Sequence, residues 1–156
     1  HICDFYNIGR PQPLSPSIRV YDSVELKNTV WYLMEIGEDI DLGYVKLERN
    51  FLGRYKIVCL GYGGGSFCDG VVRSGEKAYY LFGGRDVTGR IAKITMTQNG
   101  ETCTMENVEG KTHFLFCTEL SPQLGDYDFD RSTLRFYDKD GNDITAESNL
   151  SGGGIG

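Results

Sequence analysis

From Ile18 onward the apolar positions fall into runs of about five to eight residues, separated by glycine or by Asn and Asp beside glycine. This is the punctuation of strands and turns. Candidate strands are Ile18 to Tyr21, Val30 to Ile36, Tyr44 to Arg49, Tyr55 to Leu60, Cys68 to Arg73, Ala78 to Phe82, Arg90 to Thr97, Thr102 to Asn107, Thr112 to Glu119 and Thr133 to Tyr137. Short antiparallel strands with short links predict an all-β domain, an antiparallel β-sandwich or closed barrel of about 8–10 short strands. Alternation supports one-sided burial where Ala92, Ile94 and Met96 oppose Lys93, Thr95 and Thr97. The run His113 to Thr118 differs, because Phe114 and Phe116 share one face while Leu115 and Cys117 share the other. A strand that is apolar on both sides belongs between layers.

One segment supports two readings. Asp22 followed by Glu25 resembles a capping box, and Leu26, Val30 and Leu33 or Met34 have helical spacing. Asn28 and Thr29 interrupt that helix, and Val30-Trp31-Tyr32 prefers a pleated surface.

Around this domain lie two atypical ends. Residues 1–17 hold Pro11, Pro13 and Pro16 and predict an extended N-terminal arm, with Ile2, Tyr6 and Ile8 as a partly alternating apolar face suited to strand exchange. Residues 18–147 make the single β domain, and 148–156 form a glycine-rich C-terminal tail. A chain of 156 residues fits one core.

Composition narrows the partners. Sixteen basic against twenty-two acidic residues give a net charge of −6, which opposes nucleic acid and anionic membrane surfaces. No run reaches the roughly 18 apolar residues of a bilayer span, so membrane insertion is not expected. The first residue is His1, read as the product of signal-peptide removal, and Asn149-Leu150-Ser151 is a glycosylation sequon. With five cysteines, these features point to a secreted or surface-displayed protein.

Cysteine spacing suggests a framework. Cys59 and Cys68 flank a glycine cluster, and Cys103 and Cys117 flank Gly110 at their midpoint, so each pair would face across a hairpin and form a disulfide. The alternative is a set of buried free thiols. Cys3 is left over in the arm, as an intermolecular bridge or a free thiol.

Chemistry-bearing motifs are few. Gly61-Tyr62-Gly63-Gly64-Gly65-Ser66 lacks the Lys and helix of a phosphate loop and reads as a turn. Asp126, Asp128 and Asp130, then Asp138, Asp140, Asn142 and Asp143, offer oxygen ligands for calcium, but an EF-hand register from Asp138 puts Asp143 at the glycine position and Asn149 at the twelfth. His113 is the only internal histidine and no nucleophile elbow occurs, so a catalytic reading finds little support and no cofactor is implied. Trp31, Tyr32, Tyr44, Tyr55, Tyr62, Tyr79, Tyr80 and Tyr137 permit a glycan or protein contact surface.

Two resemblances attach to particular residues. An N-terminal His1, with His113 as a further ligand, resembles the histidine brace of copper-dependent polysaccharide monooxygenases, which implies copper binding. Val30-Trp31-Tyr32 ahead of meandering strands resembles the start of a lipocalin and implies a barrel carrying a small apolar ligand, although Thr29 and Val30 depart from that family's glycine spacing and no C-terminal helix is apparent. The favoured expectation is a non-enzymatic structural or adhesive subunit that self-associates through its arm or binds an extracellular partner.

Overall fold

The ambiguous segment is a hairpin. Strand β1 (Ile18–Leu26) returns through Lys27 and Asn28 into β2 (Thr29–Ile36), with Leu26 opposite Thr29 and Ile18 opposite Ile36. Helical spacing loses here to the β-branched and aromatic residues of β2, which fill a pleated surface. The computed structural model describes residues 2–9, 11–12, 15–37, 41–62, 65–86, 88–98, 100–106, 110–122, 130–147 and 152–154.

Strands β3 (Asp41–Arg49) and β4 (Tyr55–Tyr62) complete a first antiparallel sheet in the order β1-β2-β3-β4. A central sheet has the order β11-β5-β6-β9, from β5 (Phe67–Ser74), β6 (Lys77–Arg85), β9 (His113–Glu119) and β11 (Gly152–Gly154). The third sheet, in the order β10-β7-β8, holds β7 (Lys93–Gln98), β8 (Glu101–Glu106) and β10 (Arg135–Tyr137). The sheets do not close into a barrel, which removes the lipocalin-like expectation and leaves the sandwich.

The central sheet is covered on both sides. Phe67, Tyr80, Phe82 and Phe114 pack with Ile94, Met96, Met105 and Phe136 of the third sheet. On the opposite side Cys68, Leu81 and Leu115 pack with Trp31, Leu33 and Tyr44 of the first sheet. The two-sided pattern of β9 is met in this way, with Phe114 on one side and Leu115 on the other. So is the one-sided pattern of β7, whose Ile94 and Met96 are fully buried while Thr97 is exposed.

Strand β6 runs three residues beyond its expected end at Phe82, through Gly83 and Gly84 to Arg85. The glycine pair is not a turn. A Cβ on Gly83 would lie 2.8 Å from Leu33 of the first sheet, and one on Gly84 would lie 2.5 Å from Phe114 and 2.6 Å from Phe67. Each glycine therefore admits a neighbour on a different face of the central sheet.

The cysteine pairing is corrected by the topology. From β4 the chain passes from the first sheet to the central one, so Cys59 lies opposite Lys46 and Cys68 opposite Gly83. From β8 it passes from the third sheet to the central one, so Cys103 lies opposite Met96 and Cys117 opposite Leu81. No disulfide joins any of the five cysteines, Cys3 included. A glycine at the midpoint of a pair shows where the chain turns, not which sheet receives it. Burial pushes the Cys68 thiol up to about 12 and the Cys117 thiol to about 11, so both stay protonated at neutral pH.

The arm also differs from expectation. Ile2–Tyr6 forms a short helix, α1, because prolines constrain themselves and their immediate predecessors and the first of them is Pro11. Ile2 packs against Met34, Ile36 and Val45 on the outer face of the first sheet. Tyr6's side chain lies outside the described residues, and Ile8 is exposed. In the glycine-rich tail, Gly152–Gly154 adds to β5 as a parallel strand.

Candidate functional site

Glu35 stands in an apolar run between Met34 and Ile36 and is only 6% exposed. A buried carboxylate needs partners. The end of β6 and the start of β9 supply them, because Arg85 and His113 are direct neighbours in the central sheet. Arg85 Nη1 lies 3.2 Å and His113 Nε2 2.9 Å from Glu35 Oε1. Tyr21 donates its hydroxyl to Glu35 Oε2 at 2.6 Å and stacks on His113, with ring centroids 3.6 Å apart and planes 8° from parallel.

Tyr21 reaches this position through a register shift in β1 between Val20 and Asp22. A bulge re-aims the side chains at its site. The same bulge points Asp22 at the edge strand β9, where its carboxylate accepts the Leu115 N–H at 3.0 Å. The residue read as a helix cap therefore fastens the first sheet to the central one.

Burial pushes the Glu35 carboxyl up, but hydrogen bonds from Tyr21, His113 and Arg85 and the charge of His113 together hold it below the usual carboxylate range. The hydrogen bond to Glu35, aided by burial, pushes the Tyr21 phenol up. Thr112 Oγ1 lies 3.2 Å from His113 Nδ1, so hydroxyl, imidazole and carboxylate stand in line. The order is that of a hydrolytic triad, but the hydroxyl belongs to the residue next to the histidine. The groove described below opens on the other face of the first sheet. The cluster is a clamp between two sheets.

A second clamp lies on the opposite side of the central sheet. Asp69, 7% exposed, accepts the Tyr80 hydroxyl at 2.9 Å and pairs with Arg131 Nε at 2.8 Å. In the loop after β6, Asp86 accepts the N–H groups of Thr88 and Ile91 and the Thr88 hydroxyl. Asp69 ties the central sheet to Arg131, and Asp86 braces its own loop.

The described residues among the proposed metal positions make other bonds. His113 directs its two ring nitrogens to Glu35 and Thr112, and His1 lies outside the described residues. Asp138 Oδ1 accepts the N–H groups of Asp140 and Asn142, and the Asn142 amide donates to both carboxylate oxygens. These bonds close a turn, with Asp140 paired to Lys139. Among the described residues no group of three His, Cys, Asp or Glu side chains is placed to hold a metal. Asp126, Asp128 and Asn149 lie outside the described residues.

Exposed apolar surface gathers elsewhere. A groove of about 940 Å³ runs between α1 with its following turn and the first sheet, lined by Ile2, Ile8, Ile18, Leu47, Tyr55 and Ile57, with Asp4 and Lys56 as its polar members. Next to Tyr55, the tip of the β3–β4 hairpin exposes Phe51 by 95% and Leu52 by 64%. Sequence reasoning passed over these two residues and Glu35. The signals were present: two apolar residues in a turn flanked by Arg49 and Arg54, and one carboxylate inside an apolar strand.

No family model matches the chain, and no match is found among curated proteins or solved structures.

Proposed function

We propose that the chain is a non-enzymatic, surface-displayed adhesive or structural domain that engages its partner through the β3–β4 tip and the adjoining groove. The observation that carries this reading is the placement of exposed apolar side chains. Of six large exposed hydrophobics among the described residues, Ile8, Val20, Tyr21, Phe51, Leu52 and Tyr55, three fall within five consecutive residues at the tip, and Ile8 lines the groove beside Tyr55. Scattered exposed apolar residues need no explanation, whereas a gathered set marks a contact surface.

The internal use of Glu35, His113, Arg85 and Asp69 as clamps and of Asp86 as a loop brace supports a binding role over a catalytic one. Within the described part of the arm, Ile2–Tyr6 is helical and Ile2 seats on its own sheet, which favours the tip over the arm as the contact surface. Extracellular placement rests on the Asn149 sequon, since free thiols do not call for an oxidising compartment.

The test is retention of the labelled full chain on cell-surface material from the source organism. Wild type should be retained and the Phe51→Ser/Leu52→Ser variant released. Equal retention of both, or of neither, overturns the reading.

A further inference from the structure

Which partner the tip addresses follows from its shape and charge. We infer that the β3–β4 tip is a lipid-binding element that sets Phe51 and Leu52 into the headgroup layer of an anionic bilayer while Arg49, Arg54 and Lys56 meet lipid phosphates. The inference rests on the tip being the recognition surface.

The tip is built to project. Asn50 Oδ1 accepts the N–H groups of Leu52 at 2.9 Å and Arg54 at 3.0 Å, and the Asn50 N–H donates to the Arg54 carbonyl at 2.9 Å. Gly53 takes the left-handed conformation that closes the turn, at φ 77°. Ordering the loop in this way holds two apolar side chains in water instead of folding them back against β3 and β4.

A convex apolar tip suits a bilayer. A protein partner would have to present a matching pocket, whereas the headgroup layer opens around any protruding hydrophobe and accepts phenyl and leucyl groups together. Tyr55, half exposed beside the tip, has the amphipathic ring that favours the membrane interface.

Local charge is opposite to the net charge. The stretch 46–57 carries Lys46, Arg49, Arg54 and Lys56 against Glu48 alone. Lys46 pairs with Glu48 at 3.2 Å. Arg49, Arg54 and Lys56 are exposed and make no ion pair among the described residues. Charge is felt over roughly 8–10 Å at physiological salt, so a surface touching the tip meets these cations and not the −6 of the whole chain. On this inference the expectation drawn from net charge, that anionic membranes repel the protein, is reversed at this end.

Co-sedimentation of the full chain with vesicles of equimolar phosphatidylcholine and phosphatidylglycerol tests the inference, with pure phosphatidylcholine vesicles in parallel. Binding should favour the anionic vesicles, and Phe51→Ser/Leu52→Ser should weaken it by about tenfold or more. Arg54→Ser should cost about fivefold, with the remaining binding falling as salt rises. Phe51→Trp should keep binding and show a blue-shifted emission on vesicle addition, over the constant background of buried Trp31. Unchanged melting temperatures show that the variants fold. Absence of binding by wild type, or binding indifferent to Phe51 and Leu52, overturns the inference. Should cell-surface material retain the chain through the tip while protein-free vesicles do not, the partner is a protein or glycan: the lipid inference falls and the recognition reading stands. If both fail, both are wrong.

Discussion

On the side of the central sheet facing the third sheet, Phe67, Phe82, Phe114 and Phe136 meet ring to ring at centroid separations of 5.1 to 6.3 Å, among buried Ile94, Met96 and Met105. On the side facing the first sheet, the apolar layer of Trp31, Leu33, Tyr44, Leu81 and Leu115 ends in the Glu35, His113, Arg85 and Tyr21 clamp. Both join sheet to sheet, but by different physics. Aromatic burial acts without regard to pH and tolerates small shifts in direction. A buried carboxylate is favourable only while every partner stays in place, so this interface carries directional and pH-dependent information. Asp69 qualifies the contrast, because it is a buried charge on the aromatic side, held by Tyr80 and Arg131.

The strongest way to break the aromatic side is Phe82→Ala. It removes a side chain that touches four other rings and should cost about 3–5 kcal/mol in urea unfolding, with no change in the pH dependence of stability. Glu35→Ala strikes the other side and should cost about 3 kcal/mol, at the low end for a buried ion pair because Arg85 remains 26% exposed. Emission of Trp31, the one tryptophan, reports that interface directly. Glu35→Gln should cost less, since an amide keeps part of the hydrogen bonding.

Gly84→Ala sharpens the comparison by overpacking the aromatic side from within the central sheet. A cost of about 1–3 kcal/mol is expected from thermal unfolding, since Phe114 and Phe67 must both yield.

The pH response should be smaller and separable. The Glu35 carboxyl is held below its ordinary value near 4.5, so in this range the native state binds fewer protons than the unfolded state. Its contribution is complete above about pH 4.5 and is lost as pH falls through the lowered native value. Stability measured from pH 7 to 3 should therefore fall less steeply in Glu35→Gln than in wild type. Part of the slope should remain in the variant, because hydrogen bonds to Thr88, Ile91 and Gly89 overcome burial and hold the Asp86 carboxyl low as well. An unchanged slope would show that the clamp does not couple to folding.

The smallest effect is expected outside both interfaces. Phe51→Ser/Leu52→Ser should alter stability by less than about 0.5 kcal/mol in the same urea experiment, since these side chains are solvated in the folded chain. Loss of stability there would mean that the tip packs on the sandwich and is not free to meet a partner.

By itself, the sequence determined where the strands lie and that β9 runs between layers, because alternation and turn chemistry act over a few neighbouring residues. Candidate strands match β1 to β10 in place, with β1, β3, β4, β5 and β6 two to five residues longer and β7 and β10 two residues shorter than expected. Even the clamp left a trace in the lone carboxylate of β2. Only the tertiary structure decided that β4 and β5 part into different sheets, that Gly83 and Gly84 serve opposite faces, that α1 is helical, and that residues 21, 35, 85 and 113 meet. Those outcomes depend on which strand pairs with which. Strand pairing is settled by burial and shape across distant parts of the chain, where local spacing, as the four strand cysteines show, carries no instruction.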